Sequence, residues 1–322
     1  MKRNHKDLIK GLVSNDRVCL SKLISQIESN SSYIFRVINS VKKIPNKVYT
    51  LGITGPPGAG KSTLTNQIIK KFRGMDLKIG VIAIDPSSPF TGGAVLGDRV
   101  RMQEHSLDNS VFIRSVGSRG DLGGLSSSTS SIVKLFDIFG VDIVIIETVG
   151  VGQTELDIIK ISDCVLVTLV PEAGDGIQAM KAGLMEIGDL FVVNKADRGG
   201  ADKLAREIDY MCSLKHDSSI RKTKVLTAEA ENGIGIDDLI EEVLAFKEYE
   251  ESNGLLLKKR NKRKVSELNA MIDKRLRNEL EKTQETATFK ELMNKLENGL
   301  LEPELLVEKI INLIKKNNWE KF

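Results

Sequence analysis

VYTLGIT (48–54) followed by Gly55-Pro56-Pro57-Gly58-Ala59-Gly60-Lys61-Ser62 decides the reading of this chain. The first run has the apolar, β-rich character of a buried strand, and STLTNQIIKKF (62–72) has the pattern of a helix. A glycine-rich turn between a strand and a helix is the context that a phosphate-binding P-loop requires. Glycines allow backbone N–H groups to close around a β-phosphate at a helix N-terminus. Lys61 is suited to neutralise β/γ charge, the Ser62 hydroxyl to ligate Mg²⁺, and Thr63 completes the candidate phosphate-binding set. A turn that merely joins a strand to a helix would not need this combination. The loop has no lysine after its first glycine, where partition-type ATPases carry a second one.

Beyond this segment, six further β-rich runs alternate with helical patterns: KIGVIAI, VFIRSV, VDIVIIE, CVLVTLV, DLFVVN and TKVLTA. Continuous apolar strands imply burial on both faces, which predicts a mostly parallel sheet wrapped by helices, an α/β class fold. Asn194-Lys195-Ala196-Asp197 ends DLFVVN, at the carboxyl edge where ligands sit in open α/β sheets. A carboxylate at Asp197 can accept hydrogen bonds from N1–H and the 2-amino group of guanine. Adenine offers no such donor pair, so the spacing argues for GTP/GDP over ATP. Asn194 can tie the loops together, and Thr227-Ala228 can offer a backbone N–H to the guanine oxygen.

Three acids stand at strand ends or in the loops that follow: Asp85, Asp98 and Glu147. Mg²⁺ prefers oxygen ligands and keeps several waters, so one or two of them can bind it through water while the third orients the shell. Glu147-Thr148-Val149-Gly150 occupies the place of a DxxG switch, with Gly150 able to donate an N–H to the γ-phosphate. Val151 stands where small regulatory GTPases carry the glutamine that orients the attacking water, which predicts slow intrinsic hydrolysis. Gln153 would substitute only if the loop rearranges. Arg99, Arg101, Arg114 and Arg119 lie in or near switch-like segments; one of them could stabilise the transferring phosphoryl, although a surface role suits each.

The remainder bounds the class. With 47 basic and 44 acidic side chains the net charge is +3, too weak a field to imply a nucleic-acid partner. KKRNKRK (258–264) reads as the solvated face of a helix, since acids return nearby and no aromatics are interleaved for stacking. No apolar run approaches the roughly 18 residues of a membrane helix, and the charged N-terminus is unlike a signal peptide, so a cytoplasmic, unanchored protein is expected. Cys19, Cys164 and Cys212 form no CxxC pair and read as small core side chains. The expected organisation is a helical segment (1–46) with Leu8, Ile9 and Leu12, then Leu20, Leu23, Ile24 and Ile27 at helical spacing; a P-loop GTPase domain (47–247); and a C-terminal helical extension (248–322) broken near Gly299 and Pro303.

GPPGAGKST (55–63), DPSSPFTGGAVLGDRVRM (85–102), GSRGDLGGLS (117–126), ETVGVGQTE (147–155), PEAGDGIQAMKAG (171–183) and NKAD (194–197) together resemble the methylmalonyl-CoA mutase-associated GTPases, formerly also called lysine/arginine/ornithine transport kinases. The resemblance spans nearly the whole chain, including NGLLEPELLVEKII (298–311), which looks like the family's dimerisation extension. It implies a G-domain of the class that includes signal-recognition-particle and nickel-insertion GTPases. It further implies a homodimeric chaperone of an adenosylcobalamin-dependent acyl-CoA mutase, gating cofactor loading. By the same likeness Mg²⁺ sits near Ser62, Asp85, Asp98 and Glu147, and the loop from Pro171 to Lys181 is a third switch in which Lys181 links to the active site. Thr227-Ala228 departs from the family's usual Ser-Ala, while Asp121 and Gly188 are unexplained by the sequence.

Three rival readings are a kinase of a transport protein, a metal-insertion GTPase and a structural dimer with a dead site. Asp197 and the lack of a recognisable substrate lid count against the first. His5, His105 and His216, far apart in the sequence, count against the second, and intact Lys61, Ser62 and Asp197 against the third.

Overall fold

The computed structural model describes residues 4–41, 44–85, 103–105, 107–117, 127–148, 154–171, 183–214 and 221–318. Asp98, Gly150, Gln153, Lys181, Arg99, Arg101, Arg119 and Asp121, with most of the loop from Pro171 to Lys181, lie outside these residues. All seven runs singled out in the sequence form strands. Their order in one parallel sheet is β3-β2-β4-β1-β5-β6-β7.

In chain order, α1 (His5–Val13), α2 (Arg17–Ser29) and α3 (Tyr33–Val41) lead into β1 (Tyr49–Thr54), α4 (Lys61–Gly74) and β2 (Ile79–Asp85). There follow β3 (Val111–Gly117), α5 (Ser127–Phe139), β4 (Ile143–Glu147), β5 (Cys164–Leu169), β6 (Leu190–Asn194), α6 (Ala201–Leu214), β7 (Lys224–Ala228) and α7 (Ile236–Ser252). The chain ends with α8 (Leu255–Gln284), α9 (Ala287–Glu297) and α10 (Pro303–Asn318). Gly299, at φ +67°, lies between the last two, where the sequence placed a break.

Strand alternation sends side chains to two faces. Leu51, Ile53, Ile143, Ile145 and Leu166 pack with α4 and α7 residues such as Leu64, Ile68, Leu239 and Val243. Val144, Ile146, Ile82 and Ile84 face the other way, onto Leu20, Leu23, Ile24 and Ile27 of α2 and onto Ile132, Leu135 and Phe136 of α5. The N-terminal helices are therefore part of the main core. Each fully buried aliphatic side chain contributes about 1.5–3 kcal/mol relative to exposure. A third cluster, including Val165, Val167, Phe191 and Val193, is covered by Ile208 of α6.

Side-chain carboxylates fix where strands and helices begin. Asn4 and Asp7 form a capping box on α1, and Asp16 accepts from the Val18 and Cys19 amides to start α2. Asp137 gathers the backbone N–H groups of Asn46, Lys47 and Val48 at 2.5, 3.0 and 3.1 Å, setting the approach to β1. Thr50 and Asp163 exchange hydrogen bonds, amide to side chain in each direction, and lock β1 to the start of β5. At the edge of the sheet Arg114 of β3 pairs with Glu28 of α2 and donates to Ser25 Oγ.

The chain divides into two compact units, residues 1–256 and 257–322. Within the second, Leu306 is buried, and the buried Glu279 holds Lys282 and Arg275 at 3.1 and 3.4 Å. Among the described residues no helix is long and apolar enough to cross a membrane. Cys19 and Cys164 are buried and Cys212 is partly exposed, and none of the three is joined in a disulfide among the described residues.

Candidate nucleotide site

In this strand order β1 connects onward to β2 on one side of it while its neighbour β5 connects onward to β6 on the other, so the crossovers diverge between β1 and β5. The turn after β1 therefore opens at a topological switch point, where α/β sheets bind ligands. Gly55 follows at φ +140°, and a Cβ there would lie 2.0 Å from the Thr168 carbonyl oxygen of β5. Any other residue would push the loop off the sheet. Pro57 and Gly58 form the exposed rim, Pro56 is half-buried and accepts from the Ala59 amide at 3.2 Å, and Ala59 is buried.

Gly60, at φ +83°, turns the chain into α4. The first turn of α4 carries no acid and its last turn carries Lys71 and Arg73. That charge distribution complements the helix dipole at one end and leaves the positive N-terminus suited to an anion. Lys61 is buried, with Nζ donating to the Gly55 and Pro56 carbonyls at 2.7 and 3.0 Å, so its charge is held over the loop. Thr63 is half-buried one residue beyond Ser62.

Ser62 Oγ donates to Glu147 Oε1 at 2.6 Å, and both residues are buried. Ser62 comes from the first turn of α4 and Glu147 from the end of β4, 85 positions apart in the chain. Thr148 follows with its hydroxyl 3.0 Å from that of Thr54, which fastens the end of β4 to the end of β1. Asp85 closes β2, with its side chain outside the described set. The Ser62–Glu147 pair is a hard-oxygen donor set. Among the described residues no group of three or more His, Cys, Asp or Glu gathers to hold a metal. A divalent ion here would draw its other ligands from water and phosphate oxygens, the habit of Mg²⁺, so the residues present fit that ion.

On the far side, Asn194 joins three loops. Its Nδ2 donates to the Ala59 carbonyl at 2.9 Å, and its Oδ1 accepts from the Ala230 amide at 3.1 Å. It is 2% exposed, so neither bond is exchanged with solvent cheaply. A Cβ on Gly60 would meet this same Nδ2 at 2.3 Å. The Ala196 amide donates to the Ala228 carbonyl at 3.1 Å, placing the two base-side segments against each other. Lys195 takes a left-handed conformation at φ +58°, and Asp197 stays exposed beside it. Thr227 is exposed and Ala228 is buried.

The structure thus brings Gly55 to Thr63, Glu147, Asn194 to Asp197 and Ala228 to one edge of the sheet. Arg114 is not among them, being committed to Glu28 and Ser25 on α2. Sequence reasoning missed Ala230 and Thr168, which act through backbone atoms and carry no side-chain signal. Gly188 gains a physical account: a Cβ there would meet the Phe191 ring at 2.5 Å, so glycine lets the chain pass over that side chain.

Residues 20–285 match the family described as methylmalonyl Co-A mutase-associated GTPase MeaB. A protein of Pyrococcus horikoshii described as a GTPase is 41% identical, with 95% of this chain and 98% of that one covered. The GTPase ArgK of Escherichia coli is 33% identical over 82% of this chain and 83% of its own. A mouse mitochondrial protein, methylmalonic aciduria type A homolog, is 34% identical over 79% of this chain and 65% of its own. A crystal structure of a LAO/AO transport system kinase superposes with a TM-score of 0.72 at 25% identity, covering 98% of this chain and all of the other. This is a P-loop GTPase, and the chain belongs to the methylmalonyl-CoA mutase-associated GTPase family.

Proposed function

We propose that the chain is a nucleotide-driven chaperone of an adenosylcobalamin-dependent acyl-CoA mutase, with GTP hydrolysis changing the fit between its switch loops and that partner. The observation that carries this reading is the family match across residues 20–285, joined to the mouse relative that bears methylmalonic aciduria in its name. In this reading the P-loop amides and Lys61 hold the phosphates, and Asp197 reads guanine. Asn194 keeps phosphate and base subsites in register through Ala59 and Ala230. Mg²⁺, held by Ser62 with Glu147, Asp85 and Asp98 around its water shell, would neutralise charge on the β- and γ-phosphate oxygens. Val151 in place of a water-orienting glutamine keeps intrinsic turnover slow, so the partner supplies or orders what is missing. Gly150, Gln153 and Lys181 are the candidates for that step. The protein works in the cytoplasm as a homodimer joined through its C-terminal helices, and its functional parts are the preface 1–46, the GTPase domain 47–247 and the extension 248–322.

The test is steady-state GTP hydrolysis with and without the mutase from the same source at matched concentration. A rise of about tenfold or more supports the reading, since partner-supplied transition-state contacts reach that size and beyond. Normal basal turnover with no rise sinks the mutase partnership while leaving the GTPase intact. In parallel, Asp197→Asn should move preference from GTP toward XTP, because the carboxamide can donate to a 2-oxo group. Unaltered GTP selectivity would remove Asp197 from base reading.

A further inference from the structure

Glu147 closes the ladders of β4, lying opposite Ile53 of β1 on one side and Ala83 of β2 on the other. The next residue, Thr148, continues the hold on β1 in two ways. Its amide donates to the Ile53 carbonyl at 3.1 Å, and its hydroxyl donates to Thr54 Oγ1 at 3.0 Å. Both threonines are buried, so water does not readily replace that bond when it breaks. Thr54 pairs with Val167 of β5 on its other side and directly precedes Gly55, which opens the phosphate loop. A buried hydroxyl pair therefore joins the residue before the loop to the residue after Glu147.

Glu147 Oε1 accepts the Ser62 hydroxyl proton at 2.6 Å, which commits that proton and leaves the lone pairs of Ser62 Oγ for a metal ion. Mg²⁺ demands near-ideal octahedral geometry, so a hydroxyl ligand serves it only while those lone pairs keep a fixed direction. That direction follows from where the Glu147 carboxylate stands. The carboxylate in turn is placed by the backbone on each side of residue 147, the strand ladders before it and the Thr148–Thr54 bond after it. We propose that Thr148 is a positioning residue for Mg²⁺ capture: its hydroxyl, through Thr54, holds Glu147 in register with Ser62 and touches neither nucleotide nor metal. The inference rests on the reading of the P-loop as the GTP site, with Ser62 as its metal ligand.

The test uses the full chain bound to GDP that carries a fluorescent label on its ribose, titrated with Mg²⁺. Thr148→Val keeps the branched shape and loses the hydroxyl, whereas Thr148→Ser keeps the hydroxyl and loses a methyl. The valine variant should raise the Mg²⁺ concentration at half-saturation about tenfold, the low end of the loss seen when groups that orient a metal's ligands are removed. Its affinity for labelled GDP without Mg²⁺ should hardly change. The serine variant should bind Mg²⁺ like the starting chain although its smaller side chain lowers the melting temperature, which separates positioning from packing. Thr54→Val should also weaken Mg²⁺ binding, and the double valine variant should fall short of the product of the two single effects, as a shared bond requires. An unchanged half-saturation in Thr148→Val, a serine variant as weak as the valine one, or single effects that multiply in the double variant would each overturn the proposal. A starting chain that binds no labelled GDP at any Mg²⁺ concentration would instead overturn the reading of the site.

Discussion

Both ends of this chain are helical and both carry apolar residues at helical spacing, yet they are used in opposite ways. At the N-terminal end Leu12, Leu20, Leu23, Ile24 and Ile27 are completely buried, packed against β2, β4 and α5. At the C-terminal end Leu257, Val265, Leu268, Ile272 and Leu276 of α8 remain 47–64% exposed. A periodic stripe announces a face that wants cover, without saying what the cover is. For the preface the cover is the sheet of its own unit. For α8 the steps between positions 265, 268, 272 and 276 are those of a helix–helix seam, which is what the proposed dimer would bury.

The largest effect that bears on this contrast is expected from Leu23→Ala. A void in a fully buried position should cost about 2–5 kcal/mol, read from the urea midpoint. A loss under about 1 kcal/mol would mean that the preface is not part of the cooperative core. Next comes Asp137→Ala, which leaves the amides of Asn46, Lys47 and Val48 without their acceptor where the preface joins β1. About 1–3 kcal/mol should be lost, and Asp137→Asn, which keeps one acceptor oxygen, should lose less. Leu268→Asp should do the reverse of Leu23→Ala. Unfolding should shift by no more than about 0.5 kcal/mol, while sedimentation should show the proposed dimer dissociating; a variant that sediments like the starting chain would remove this seam from the proposal.

The smallest effect is a pH dependence at the Asp108 turn, which α2 and α4 hold jointly. The hydrogen bond from Arg73 keeps the Asp108 carboxyl below the usual carboxylate range. The folded chain therefore binds that proton less readily than the unfolded one. The contribution is fully present above the unfolded carboxylate pKa and is lost as pH falls through the lowered native value. Solvent screening limits it to under about 1 kcal/mol. Comparing the chain with Arg73→Met from pH 7 down to acid should show the stability gap closing; a gap that does not change with pH would assign Arg73 to packing alone.

How much could be read from the sequence depended on where the information resides. All seven strands were legible because each is a short apolar run bounded by polar residues, and the P-loop, Glu147 and NKAD stood out as candidates because a nucleotide site calls for side chains of those types. The order of the strands was not, since parallel pairing is set by crossovers that no local pattern records. Nor were the carboxylates of Asp137 and Asp163, whose partners are amides about 90 and 113 positions away. The C-terminal region was read as two helical stretches, and α9 between them went unnoticed because its charged composition matches its neighbours. Asn194 was read correctly as a tie between loops. Its partners Ala59 and Ala230 were invisible because both contribute only backbone atoms.

That tie also governs how the site comes apart. The Asn194 carboxamide is the shared fastening of the phosphate loop and of the loop after β7, its nitrogen donating to the first and its oxygen accepting from the second. Local opening of either loop must break a bond to the same buried side chain. The two loops should then behave as one exchange unit, with the amide protons of Ala230 and of the P-loop giving up protection at a common rate rather than in succession. A chain built this way would release base and phosphates in a single event.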